Sequence, residues 1–452
     1  MTVHAHTRAP THIPHPHPAP APDRTALAPA LPRPAPFEGI AMPPPPKHTP
    51  TPPQPDALAD ALIRVPRHEF IPAQAWAVPQ GVGTPPAASG YWIDQHRDPD
   101  RWWRAVYSDS VIVTQLDGGR TQLTPANAAA PSTAPSCAAS SPLLVTAGLR
   151  HLGVRPGDRV LDIGAGTGWT SGLCAYLTGD DALVTAVEID RDLARTAAEN
   201  LARCGLRPSV VIGDAATELQ TPQSHSDGLF DRVHVTCGVT HVPYVWVERT
   251  SPGGHIVLPY NPPIGRLLRL TVLDDGSATG RFGEECSYMP LRSQRLPQSQ
   301  REHQHEHRHQ PTDKITTGAD APPPRVRSLN CGLDSESLLH PAPGLQVLLA
   351  SLVGDEPWVS GSGSVLLTDG VSRATVDKDG RLTQTGPRGL WDEAESVHHA
   401  WTRQGRPGLD RIGFTVTPER QYVWVDDPAV PAVHSLDTAA GNATTTVGAS
   451  LG

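Results

Sequence analysis

The residues with the clearest chemical meaning form a glycine-rich turn in the sequence RVLDIGAGTGWT, residues 159–170. An apolar strand pattern runs directly into Gly164, Gly166 and Gly168. Glycines at such a point let the backbone approach a ligand closely and present amides at the start of a helix. A dinucleotide site would have its third glycine one position later, where this chain has Trp169. No Gly-Lys-Ser/Thr sequence follows either, so the turn predicts a nucleotide-like ligand without the features of a pyrophosphate or Walker-type site.

Three carboxylates stand at the ends of successive predicted strands. Asp162 precedes the turn, and Glu188 and Asp214 close the next two strands. Glu188 could accept both hydrogen bonds of a ribose diol, and Asp214 one from an adenine amine. Carboxylates and glycines without a phosphate-binding cation suit a nucleoside without phosphate, such as S-adenosylmethionine; a purely structural turn is the alternative, which three acids in this order disfavour. The predicted cofactor-binding residues are Asp162, Gly164, Ala165, Gly166, Gly168, Glu188 and Asp214.

Strand and helix patterns alternate from residue 142 to residue 290 and must position these groups. Short apolar strands are predicted in RVLDIG, LVTAVEID, SVVIGDA, FDRVHVTCGV and GHIVLPY, and helices in PLLVTAGLRHLGV, GWTSGLCAYLTG and RDLARTAAENLARCG. Strands this apolar, separated by helices, indicate a parallel sheet covered on both faces. The sequence GRLLRLTVLDDGSATGRFGEECSYMPL breaks the rhythm and predicts an antiparallel hairpin at the sheet edge. The predicted fold class is α/β, with a Rossmann-like, mostly parallel sheet.

Composition divides the chain further. Residues 1–55 hold 18 of the 50 prolines, which predicts a disordered arm. The main domain is predicted over residues 56–292, followed by a polar, histidine-rich linker over residues 293–325. A small α+β unit is predicted over residues 326–428 and a flexible tail over residues 429–452.

Charge and cysteine usage exclude several classes of protein. The formal net charge of -9 gives no general reason to bind nucleic acid. The six cysteines are scattered without a CxxC pair, so they predict reduced thiols, with no disulfide framework and no metal site. The sequence has neither a signal-peptide pattern nor an apolar run long enough to span a membrane. We therefore expect a soluble, cytoplasmic protein without a membrane or nucleic-acid partner.

Over residues 142–290 the sequence resembles the class I S-adenosylmethionine-dependent methyltransferases. Upstream lie RVPRHEFIP, VYSDSVIVTQ and PSTAPSCAASSPLLV, and downstream lies LFDRVHVTCGVTHVPYVWVERTSPGGHIVLP. In this order the elements resemble the protein L-isoaspartate O-methyltransferase family, which carries a VPR-x-x-F-[VI]-P signature, a Tyr-x-Asp element and a Ser-x-Pro loop that opens a helix before the glycine turn. Tyr107 and Asp109 match the second element, and STAP, residues 132–135, is assigned to the third.

The resemblance implies that a hydroxyl in this loop orients the substrate carboxylate. The family's serine stands two places before the proline, where this chain has Thr133, with Ser132 beside it and a few extra residues before the glycine turn. Thr133 is therefore the first candidate and Ser132 the second, with a helix N-cap as the rival interpretation of this loop. Asp109 is a candidate for closing the loop over the cofactor, with a surface turn as the alternative.

The resemblance implies transfer of a methyl group from S-adenosylmethionine to an isoaspartyl or aspartyl carboxylate of a protein or peptide, the reaction of protein repair. The proline-rich arm, the linker and the C-terminal unit have no counterpart in short family members and resemble an actinobacterial subgroup with C-terminal extensions. Some members of that subgroup methylate ribosomally made peptides, so a dedicated peptide substrate is one alternative. A non-catalytic S-adenosylmethionine-binding protein is the other.

Overall fold

The computed structural model describes residues 57–80, 90–217, 228–261 and 265–295, and further C-terminal segments, namely 325–328, 341–353, 358–359, 365–368, 371–377 and 379–432. The predicted arm, nearly all of the predicted linker and most of the predicted tail lie outside these residues. In the described part, no helix is long and apolar enough to cross a membrane.

Helices α1 to α9 span Ala57–Arg64, Pro99–Tyr107, Pro125–Ala129, Pro142–Leu152, Trp169–Thr178, Arg191–Arg203, Tyr244–Glu248, Pro343–Val353 and Leu390–Arg403. Strands β1 to β18 span Gln74–Pro79, Tyr91–Asp94, Ser110–Leu116, Pro135–Ala139, Val160–Ile163, Val184–Glu188, Ser209–Ile212, Phe230–Val235, Thr250–Tyr260, Arg266–Val272, Ala278–Glu285, Arg325–Ser328, Trp358–Val359, Val365–Thr368, Arg373–Val376, Arg381–Thr385, Ile412–Val416 and Gln421–Val425.

The largest sheet has the strand order β18-β17-β11-β10-β9-β8-β5-β6-β7. Strands β9, β8, β5, β6 and β7 pair in parallel, and the pairs from β9 outward to β18 are antiparallel. The predicted parallel sheet and the predicted hairpin, β10–β11, are both confirmed. The hairpin is not the edge of the sheet, however, because β17 pairs with the outer side of β11 and satisfies its main-chain groups.

The C-terminal residues form two structures. Strands β12-β16-β15-β14-β13 make a separate antiparallel sheet, whereas β17 and β18 extend the central sheet. The ring of Phe414 on β17 lies 4.9 Å from that of Tyr260 on β9, centroid to centroid, within one hydrophobic core. The α+β character of this part is confirmed, but residues 412–425 belong to the central sheet rather than to an independent unit.

A further antiparallel sheet, β2-β1-β3-β4, precedes the parallel core. Helix α2 packs against it, with Trp102 buried and its indole Nε1 donating to the Pro72 carbonyl. These strands were not predicted from the sequence. They matter for the site because β4 leads directly into helix α4.

The start of α4 is fixed by local chemistry. The Ser141 hydroxyl accepts from the Leu144 amide at 3.4 Å as the N-cap, and Pro142 occupies the first helical turn, where its missing N–H is not needed. Gly153 ends the helix in the left-handed conformation at φ 64°. These signals place Ser140 immediately before the helix.

The side chain of Arg67 joins helix α2 to strands β3 and β4. Its guanidinium is buried and donates to the carbonyls of Val106, Ser110, Ala139 and Ser140 at 2.6 to 3.1 Å. Burial lowers the pKa of Arg67 to about 9, and the nearby Asp109 carboxylate acts in the opposite direction, so the group is charged at neutral pH. One side chain thus fixes the end of α2, the start of β3 and the end of β4.

We predict that Arg67→Met destabilises the protein by about 3–5 kcal/mol, because four buried carbonyls lose their charged donor. Arg64→Met is the matched control, since the Arg64 side chain is 68% exposed and its removal should change stability by less than about 0.5 kcal/mol. Denaturant unfolding followed by circular dichroism measures both. Equal unfolding midpoints for the two variants would contradict the role of Arg67.

Candidate active site

A cavity of about 310 Å³ opens at the carboxyl ends of the parallel strands. This is where ligands bind in open α/β sheets. Part of the lining comes from the glycine turn and the ends of β6, β7 and β8, and another part from β1, β3 and β4. A third part of the lining comes from the segment 287–295, which follows the hairpin and is called the strap here.

The glycine turn bonds to its own protein rather than offering amides to an anion. The Gly164 and Ala165 amides donate to the Val187 carbonyl at 2.8 and 3.1 Å, and the Gly166 amide donates to the Glu188 carboxylate at 2.9 Å. Gly164 and Gly166 need glycine because their φ angles are 86° and 55°. A turn whose amides are already satisfied is a poor phosphate cradle, which agrees with a ligand that carries no phosphate.

Glu188 lies at the end of β6, lines the cavity and is 6% exposed. Its second oxygen accepts from the Asp190 amide at 3.0 Å. Two carboxylate oxygens have about four acceptor positions, so each oxygen keeps capacity for a ribose hydroxyl. The geometry fits the predicted ribose-binding role, which stays a prediction.

Asp214 lies beyond β7 on the same side of the cavity. One of its oxygens accepts from the Ala216 amide at 3.0 Å and from the Ser293 hydroxyl at 3.4 Å. Gly213 and the 41%-exposed Ile189 also line this end. An apolar side chain beside a carboxylate suits an adenine ring and its amine, so this end of the cavity fits the predicted adenine site.

Asp162 and Gly168 support the turn from behind instead of lining the cavity. The Asp162 carboxylate is fully buried, where it accepts from the Ser171 hydroxyl at 2.5 Å and lies 2.9 Å from His234 Nδ1. Gly168 has a φ of 93°, and a Cβ there would come within 3.1 Å of the Ala197 backbone. Neither residue lines the cavity, and their predicted role in cofactor binding stays a prediction.

The loop with Ser132 and Thr133 does not lie where the sequence pattern predicted. The Thr133 hydroxyl donates to the carbonyls of Asn127 and Ala130 at 2.6 and 3.0 Å, which closes the turn after α3. Ser132 is exposed, and neither side chain lines the cavity. Strand β4, not a helix, follows this loop, so the N-cap interpretation of the loop is also wrong.

The Ser-x-Pro motif that opens the helix before the glycine turn is Ser140-Ser141-Pro142. Ser140 lines the cavity, and its carbonyl accepts from Arg67 at 2.8 Å. Tyr288 of the strap lines the same cavity. The signal was visible in the sequence, because a serine stands two places before the proline that begins PLLVTAGLRHL.

Asp109 lies at the start of the same helix but outside the cavity lining. Its carboxylate accepts from the Leu143 amide at 3.4 Å, and its carbonyl accepts from the Gln80 amide at 2.9 Å. These contacts hold the end of β1 near the start of α4. The predicted role in closing a loop over the cofactor stays a prediction.

A polar network lies on the strap side of the cavity. It was not predicted from the sequence. Arg292 donates to Asp190 at 3.1 Å and to Gln115 at 3.3 Å, while Gln115 donates to Asp190 and accepts from the Ser136 hydroxyl. Burial tends to raise the Asp190 pKa, but the bonds from Gln115, the Leu193 amide and Arg292 hold it below its usual value. The network links the strap, β3, β4 and the residue that bonds Glu188.

Among the described residues, no cluster of histidine, cysteine or acidic side chains could hold a metal ion. Two cysteines line the cavity instead, Cys137 and Cys237. Burial raises the pKa of each thiol to about 12, so both are neutral at physiological pH. They contribute small, weakly polar surface to the walls.

The chain is similar to several proteins named protein-L-isoaspartate O-methyltransferase. It is 37% identical over 157 residues to the protein-L-isoaspartate O-methyltransferase of Aeropyrum pernix, covering 34% of this chain and 58% of that protein. The proteins of the same name from Methanoculleus marisnigri and Thermococcus onnurineus are 36% and 32% identical, each over 34% of this chain and over 67% and 68% of their own lengths. A solved protein-L-isoaspartate O-methyltransferase is 18% identical, with a TM-score of 0.45, over 82% of this chain and 95% of the other.

The fold and the cavity define an S-adenosylmethionine-dependent methyltransferase with a Rossmann-like sheet. The family model described as Protein-L-isoaspartate(D-aspartate) O-methyltransferase matches residues 121–296. The chain belongs to this family of carboxyl methyltransferases. The match ends before the C-terminal sheet and before β17 and β18.

We predict that Glu188→Gln weakens S-adenosylmethionine binding about tenfold to hundredfold, because hydrogen bonds to a charged acceptor contribute about 1.5–3 kcal/mol. Isothermal titration calorimetry measures the Kd. Glu199→Gln is the matched control, an exposed residue on α6 away from the cavity. Unchanged affinity in Glu188→Gln would remove Glu188 from the ribose site.

Proposed function

We propose that this enzyme methylates isoaspartyl or aspartyl carboxylates in damaged proteins, using S-adenosylmethionine. The observation that carries the proposal is the position of Ser140: the serine of the family's Ser-x-Pro motif faces the same cavity as the glycine turn and Glu188. The named relatives, which are protein-L-isoaspartate O-methyltransferases, support the same activity.

Methyl transfer requires orientation of the substrate carboxylate more than acid–base catalysis. A carboxylate is already ionised at neutral pH, so no general base is needed to make it nucleophilic. The Ser140 hydroxyl can donate to one carboxylate oxygen and leave the other directed at the methyl group. Burial raises the pKa of Tyr288, which also lines the cavity, so its hydroxyl stays protonated.

The substrate side of the cavity is mostly apolar. Val78, Val111, Val113 and Ala138 of strands β1, β3 and β4 line it. Excluding water favours the reaction, because the charges of an anion and a sulfonium cancel as the methyl group is transferred. Bound S-adenosylmethionine supplies that methyl group, and the products are the methyl ester and S-adenosylhomocysteine.

The ester provides the repair. The nitrogen of the neighbouring backbone amide attacks the ester carbonyl, methanol leaves and a succinimide forms. Hydrolysis of the succinimide returns a fraction of the substrate molecules to normal aspartate. We propose that the partner is the damaged protein or peptide itself, without nucleic acid or membrane, and that the enzyme acts in the cytoplasm, where scattered reduced cysteines are typical.

We predict that Ser140→Ala lowers kcat/KM for an L-isoaspartyl peptide about tenfold to hundredfold, because one hydrogen bond to a charged carboxylate is lost. Thr133→Val is the matched control and should remain within about twofold of wild type, since Thr133 bonds only within its own turn. Methyl transfer from labelled S-adenosylmethionine to isoaspartyl and aspartyl versions of one peptide provides the measurement.

The opposite ranking, with Thr133→Val inactive and Ser140→Ala active, would restore the sequence-based assignment. If wild type labels neither peptide while calorimetry shows bound S-adenosylmethionine, the repair activity is rejected. A dedicated peptide substrate or a purely binding function would then take its place.

A further inference from the structure

The loop that follows β8, residues 236–243, is held more tightly than a surface loop requires. It begins in the cavity, where Thr236 and Cys237 form part of the lining. The Thr236 hydroxyl bonds to the Gly164 carbonyl at 2.5 Å, and a Cβ on Gly164 would come within 2.7 Å of the Cys237 sulfur. A shift of this loop would therefore move the cavity wall beside the glycine turn.

One side of the loop is held by the strap. The Gly238 amide donates to the Met289 carbonyl, and the Leu291 amide donates to the Gly238 carbonyl, at 2.9 and 2.8 Å. The Gln294 side chain accepts from the Thr240 amide at 2.8 Å and donates to the His241 carbonyl at 2.6 Å. These contacts come from within the region that the family model matches.

The other side is held by Gln421, the first residue of β18. Its side-chain oxygen accepts from the Val242 amide at 2.9 Å, and its nitrogen lies within hydrogen-bonding distance of the His241 ring. Gln421 is 4% exposed and stands 179 residues from Val242 in the sequence. This contact comes from the C-terminal part of the chain, outside the family match.

A buried side-chain amide needs partners for both its oxygen and its nitrogen. Gln421 finds them on the loop, so the loop and β18 fix each other. Strand β18 is itself fixed because β17 joins it to β11 of the central sheet. A rigid path therefore runs from the central sheet through the C-terminal hairpin to the cavity loop.

We propose that Gln421 is a positioning residue for substrate binding, through which the β17–β18 hairpin sets the loop 236–243 against the peptide substrate. The proposal rests on the proposed function for its kinetic consequence, but the contact itself can be tested without turnover. Through this contact the C-terminal hairpin helps to hold the wall of the candidate active site.

The test compares Gln421→Met, which keeps the side-chain volume and removes both polar groups, with Glu419→Gln, an exposed change in the same hairpin. Hydrogen exchange should become about tenfold faster at the amides of residues 239–242 in Gln421→Met, with the parallel strands unchanged. The KM for the isoaspartyl peptide should rise about fivefold or more, while the S-adenosylmethionine Kd stays within about twofold. Glu419→Gln should match wild type in all three measurements.

Unchanged exchange in residues 239–242 would overturn the proposal, and so would faster exchange with an unchanged peptide KM. If Gln421→Met does not fold, Gln421→Asn decides between the outcomes, because it keeps the amide but is one methylene too short to reach Val242. Failure of wild type to methylate the peptide would refute the proposed function alone, and the exchange measurement would still accept or reject the contact.

Discussion

The buried guanidinium of Arg67 is the contact on which the active site depends. A charge removed from water must find acceptors, and this one finds four main-chain carbonyls on three segments. A planar guanidinium with several donors can satisfy such a set, whereas the compact ammonium of a lysine offers fewer directions. One of the four carbonyls belongs to Ser140, which is 73 residues away in the sequence. The position of Ser140, which lines the cavity, is therefore set by a residue that does not line it.

The predicted cofactor side of the cavity is built in a similar way, because the carboxylate that holds the backbone there can also bind a ligand. The Glu188 carboxylate fixes the Gly166 amide and the Asp190 amide, and still has acceptor capacity left. Asp162 is the contrasting case: its carboxylate is bonded to Ser171 and lies against His234, away from the cavity. Of these two acids on neighbouring strands, Asp162 therefore supports the turn and Glu188 lines the cavity.

The sequence was sufficient for the parallel core because each element there has its own local signal. Apolar strands, helix caps and glycine stops lie next to one another, so the pattern by itself places Glu188 and Asp214 at strand ends. The segment before α4 has no such signal. Residues Pro135–Ala139 are mostly small and have weak strand preference, and they form strand β4 by pairing with β3. Two serine–proline patterns lie close together there, and only the helix boundary at Pro142 separates the correct one from the other. The contacts of Arg67 and Gln421 join residues far apart in the chain, and no local pattern encodes them.

The C-terminal hairpin shows how an extension becomes part of a family fold. An uncovered β11 would present a row of unpaired main-chain groups, and β17 covers it in a register that runs from Ala278–Val416 to Arg281–Gly413. Once that pairing forms, the first residue of β18 lies beside the loop that leaves β8, and the buried amide of Gln421 requires partners that the loop supplies. The pairing that covers the sheet edge therefore also brings Gln421 into contact with the cavity loop. The C-terminal strands consequently belong to the active-site architecture even though the family match ends before them.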